Sequence, residues 1–74
     1  MARLKLLPFR EVKRKLLAAG FIEVTQRGSH VKFMRSTPEG TRVAIVPRHS
    51  EVRLGTLRSV LNQAGLTPEE SDNL

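Results

Sequence analysis

No cysteine occurs in the chain, which excludes a disulfide framework and thiol chemistry and leaves the fold to packing alone. That usage fits a reducing, cytoplasmic setting. Tyrosine and tryptophan are also missing, and the three aromatic residues, Phe9, Phe21 and Phe33, all fall where a core would claim them. Stacking of bases on an aromatic platform is therefore poorly supported. Acidic residues are few, seven against thirteen Lys and Arg, for a net charge of +6. The basic side chains run from Arg3 to Arg58 instead of forming a tail, so the natural partner is a polyanion, with nucleic acid first. No apolar run could span a membrane, and Lys5 and Pro8 break Leu4, Leu6 and Leu7 into a patch too short for a signal peptide. No cluster of His, Cys, Asp or Glu has metal-ligand spacing, so the sequence calls for no metal and no other cofactor.

What is there, 74 residues in all, suits one domain over residues 1–74 with a single thin core. Pro8 to Ala19 reads as a helix, with Pro8 at the first helical position and Phe9, Val12, Leu16 and Ala19 at three- and four-residue steps. Gly20 and Phe21 then offer a left-handed Schellman ending. Three strands follow, over Phe21–Gln26, Ser29–Arg35 and Thr41–Val46, the last two joined by the turn Thr37-Pro38-Glu39-Gly40. A second helix spans Leu54 to Ala64, with Leu57, Val60, Leu61 and Ala64 as its apolar stripe and Gly65-Leu66 as its ending. Thr67-Pro68-Glu69-Glu70 is a capping box, but the residues after it lack an apolar stripe, so the third helix should be short or frayed.

The order α-β-β-β-α predicts an α+β fold, a two-layer sandwich with both helices on one face of a three-stranded antiparallel sheet. Parity supplies a register. Pairing Val24 with Val31 and Ile22 with Phe33 places four apolar residues inward and leaves Arg27-Gly28 as the turn, or as part of a looser four-residue loop. Pairing Phe33 with Val43 and Val31 with Ile45 does the same for the second hairpin. His30, Lys32 and Arg42 then share the open face, and Arg48 becomes a diagonal neighbour of His30.

Arg27-Gly28-Ser29-His30-Val31-Lys32-Phe33 is the stretch that looks built for chemistry. A histidine titrates near pH 6.5 and so can take up or release a proton under cellular conditions. His30 begins a strand directly after a glycine turn, where a substrate backbone can come close. Toward an anionic substrate it could act in proton transfer, with Lys32 and Arg48 as neighbouring cations and with Ser29 and the Gly28 N–H able to orient a phosphate. His49 is the obvious candidate for a second proton-transfer group, although a loop histidine often has no such duty. Arg10, Lys13 and Arg14 form a basic helix face suited to phosphates and equally to solvent.

A helix ending in Ala19-Gly20-Phe21, then Gln26-Arg27-Gly28-Ser29-His30, then Val46-Pro47 with a histidine beyond, then Leu54-Gly55-Thr56-Leu57-Arg58 continuing to Gly65-Leu66, resembles the HicA, or YcfA-like, family over about Pro8 to Glu70. The resemblance implies a fold like a double-stranded-RNA-binding domain, and a toxin of a type II toxin–antitoxin module. It further implies a ribosome-independent endoribonuclease activity on mRNA, one important histidine at His30, and a HicB-like antitoxin that covers the active surface. Charge and fold alone would suit a non-catalytic RNA-binding module as well, or a module whose basic face docks an acidic protein.

Overall fold

The computed structural model describes residues 5–74; Arg3, the basic run's first member, and Leu4, part of the apolar patch, lie outside them. The element order is α1 (Phe9–Ala18), β1 (Ile22–Arg27), β2 (His30–Thr37), β3 (Gly40–Pro47), α2 (Leu54–Ala64) and α3 (Pro68–Asp72), with the strands in one antiparallel sheet in the order β1-β2-β3. This is the expected α+β sandwich. An isolated bridge between Leu7 and Val52 ties the segment before α1 to the connection before α2. Val12 and Leu16 of α1 and Leu57, Val60, Leu61 and Ala64 of α2 are buried against Val31, Phe33, Ala44 and Val46 of the sheet.

Both long helices end as the sequence predicts. The Phe21 N–H donates to the Leu16 carbonyl at 2.9 Å and the Gly20 N–H to Leu17 at 3.0 Å, while Leu66 and Gly65 repeat the pattern onto Leu61 and Asn62. Those are the two bonds of a Schellman ending, and the glycines at positive φ make them possible. A β-carbon built on Gly65, whose φ is +73°, would also stand 2.9 Å from Cζ of Arg42. Gly65→Ala is therefore expected to destabilise the protein by about 1 kcal/mol, mostly through the left-handed backbone, with Gly65→Asn costing less; urea unfolding measures both.

The register differs from expectation in both hairpins, by two residues beside the first turn and one beyond its bulge, and by one throughout the second. Arg27 pairs with His30, so the turn is Gly28-Ser29, with Gly28 at φ +56° in the first central position, where a primed turn of type II′ wants glycine. A bulge between Glu23 and Thr25 then brings Ile22 opposite Met34. Ile22 and Val24, expected inside, are 64% and 44% exposed, and Phe21, just before β1, is buried in their stead. Across the second hairpin Phe33 pairs with Ala44 and Val31 with Val46. Ala44 and Val46 are thus the buried residues of β3, and Val43 and Ile45 lie on the outer face, reversing the expectation. Small Ala44 lets α2 pack closely on β3.

The third helix is short, as expected, yet it is tied down. Thr67 and Glu70 exchange both bonds of the capping box, Lys15 Nζ donates to the Ser71 carbonyl at 2.5 Å, and Arg14 Nη2 donates to the Leu74 carbonyl at 3.1 Å. Contacts with α1 supply what the missing apolar stripe does not.

Candidate active site

His30 is the first residue of β2 and is exposed, paired across to Arg27 on one side and Pro47 on the other. Three hydrogen bonds hold the segments around it. Gln26 Nε2 donates to the Gly28 carbonyl at 3.0 Å, the Arg48 N–H donates to the Ser29 carbonyl at 2.5 Å, and the Ile45 N–H donates to Gln63 Oε1 of α2 at 3.0 Å. The last bond serves the fold as well, because it occupies a donor on the exposed edge of β3, where Pro47 carries none.

Between the β3 edge and α2 lies a cleft of about 450 Å³. His30, Ile45 and Pro47 line its strand side, and Thr56, Ser59 and Gln63 of α2 line the other, with His49 and Arg53 contributed by the connection. On the open sheet face a second depression holds Thr25, Arg27, His30, Lys32 and Ile45. His30 therefore borders both, and Lys32 shares its face. Beyond His49 a third depression is lined by Phe9, Arg10, Arg48 and His49. Cations flank the central cleft on both sides.

The stretch from residue 9 to residue 66 matches the model of a protein family described as "HicA toxin of bacterial toxin-antitoxin". The chain belongs to the HicA toxin family. The match takes in α1, the sheet and α2, hence every residue bordering the cleft, and stops short of α3. Membership of a toxin–antitoxin system implies an antitoxin partner for this HicA family member. No curated protein sequence matches the chain. No helix among the described residues is long and apolar enough to cross a membrane, and no group of three or more His, Cys, Asp or Glu among them could hold a metal ion.

Two cations expected near His30 lie on the helix side of the sheet in this HicA chain. The Arg48 guanidinium stacks 5.7 Å from the Phe9 ring centroid and Nη1 donates to Gln26 Oε1 at 3.1 Å. Its backbone faces Ser29, which puts it one residue out of step with His30. Arg42 pairs with Arg35 on the inward parity of β2 and β3, and its guanidinium rests against Gly65 at the C-terminal end of α2, where helix carbonyls favour a cation. Arg35 takes the equivalent position beside Gly20 at the end of α1. The one-residue change of register accounts for both corrections.

The basic face of α1 divides in the same way. Lys13 is paired with Glu23 at 3.0 Å, and Arg14 with Glu11, whose carboxyl the Arg14 hydrogen bond holds below the ordinary carboxylate range. Arg10 stays beside Arg48 in the third depression. Sequence reading passed over Arg27, Arg53, Thr56, Ser59 and Gln63 as parts of the site. A signal was available for the last three, since they recur at three- and four-residue steps along the flank of the α2 apolar stripe.

Proposed function

We propose that the protein is an RNA-cleaving toxin, an endoribonuclease that acts on mRNA without the ribosome and is neutralised by a HicB-like antitoxin. The observation that carries this reading is the place of His30, exposed at a glycine turn and bordering both a cleft and a depression that holds Lys32. His30 acts as general base toward the 2′-hydroxyl of a bound ribonucleotide, whose oxygen attacks the adjacent phosphorus. Lys32 stabilises the charge that builds on the phosphoryl oxygens, while Ser29 and the Gly28 N–H orient the phosphate. Arg10 and Arg48 hold the phosphodiester backbone further along the strand, a contact that depends on salt and carries no base preference. Lys13 and Arg14, ion-paired to Glu23 and Glu11, and Arg42, set against the C-terminal end of α2, contribute to stability more than to RNA.

Attack by the 2′-oxygen needs no metal ion and leaves a characteristic pair of ends. Purified protein incubated with mRNA in the presence of a chelator, without ribosomes, is expected to produce fragments ending in a 2′,3′-cyclic phosphate and beginning with a 5′-hydroxyl. Fragments with 5′-phosphates would contradict the mechanism. RNA that is bound but left intact would favour a non-catalytic RNA-binding module instead.

A further inference from the structure

His30 alone leaves half of the proton traffic unaccounted for. When the P–O5′ bond breaks, the departing ribose oxygen carries the electron pair away, and as an unprotonated alkoxide it is a poor leaving group. A second group must supply a proton, and it has to stand in the same cleft on the side away from the base.

Resting on the ribonuclease reading above, we infer that His49 is that proton donor. His49 borders the central cleft together with His30 but comes from a different element, the connection between β3 and α2. Although it lies outside regular structure, its backbone is held: its N–H donates to the Pro47 carbonyl at 2.9 Å, and its carbonyl accepts the Phe9 N–H at 3.0 Å. The preceding N–H, that of Arg48, is fixed on Ser29, beside His30 itself. The imidazole is exposed and makes no hydrogen bond to another side chain among the described residues, so it is available to a ligand. Only the backbone of His49 serves the fold.

The step balances. The 2′-oxygen forms its bond to phosphorus as its proton passes to neutral His30; the P–O5′ bond breaks, and O5′ takes the proton of the His49 imidazolium. The products are a 2′,3′-cyclic phosphate and a 5′-hydroxyl, and the two imidazoles regain their starting states by exchange with water. Charged or titratable groups facing His49 are Arg53 and His30 in the cleft and Arg10 and Arg48 in the neighbouring depression, with no carboxylate lining either. An anionic phosphodiester is therefore drawn to the space that the two histidines share.

The test compares two oligoribonucleotides across a mapped cleavage site, one with the ordinary 5′-oxygen at that junction and one with sulfur in its place, since a thiolate leaves without a proton. His49→Ala is expected to cleave the oxygen substrate about 10²–10⁴-fold more slowly than the parent, yet the sulfur substrate at a rate close to the parent's. The variant should also lose the alkaline limb of the pH–rate profile, because that limb reports a group that must be protonated. An equal loss on both substrates, or no loss on the oxygen substrate, would overturn the assignment while leaving His30 and the ribonuclease reading intact. If the parent cleaves neither substrate, that reading falls and this one with it. A thermal melt matching the parent's separates a folding defect from a chemical one.

Discussion

Phe33→Ala is expected to lose about 3–5 kcal/mol of stability, the range for truncating a buried phenylalanine, whereas Ile22→Ala should change it by no more than about 0.5 kcal/mol. Phe33 is fully buried at the centre of the sheet, its ring 6.4 Å from that of Phe9 and its neighbours drawn from both layers. Ile22 is 64% exposed at the sheet edge. For a chain of this length the total stability is on the order of 4–11 kcal/mol, so the first change consumes a large share of it and the second almost none. Urea unfolding of the two variants beside the parent decides the matter. A loss at Ile22 comparable to that at Phe33 would mean that Ile22 belongs to the core, and with it the register that simple alternation suggests.

That contrast marks where the sequence was legible and where it was not. Helix boundaries were readable because they depend on local chemistry: Gly20 and Gly65 each supply the left-handed residue, and Phe21 and Leu66 each close the last turn. The inward residues of β2, Val31 and Phe33, were readable for the same reason, since alternation within one strand needs no partner. His30 and Lys32 sit on the same β2 face by that rule alone.

Placement across strands is another matter, because it depends on which two residues form the turn. Arg27-Gly28 and Gly28-Ser29 both contain the glycine, and only the second puts Gly28 at the first central position, where its φ of +56° is used. The bulge between Glu23 and Thr25 turned Ile22 to the opposite side from the one expected, and a one-residue difference in the second hairpin did the same to Val43, Ile45 and Arg42. Arg48 was misplaced by the same slip, and the cleft with it, since its α2 wall becomes visible only once Ile45 faces outward beside Gln63. Of the cations around His30, counting along the chain therefore selects Lys32 and misses Arg27 and Arg53.

His30→Ala is the second large effect. Removing a general base costs about 10²–10⁴ in rate, and in this site no other side chain borders both the cleft and the Lys32 depression except Ile45, which cannot carry a proton. The substitution should leave stability nearly unchanged, because His30 is exposed and its backbone pairing with Arg27 and Pro47 is kept. Binding should also persist, since Lys32, Arg10 and Arg48 supply the phosphate contacts. An RNA-binding protein that has stopped cleaving is the expected phenotype, and in a cell it would be a toxin without toxicity.

Single-turnover cleavage of one defined RNA by the parent and by His30→Ala, at equal and saturating protein, tests the account most directly. It predicts that the parent cleaves at least about 10²-fold faster while both bind the RNA with similar affinity. Equal cleavage rates for the two proteins would contradict it.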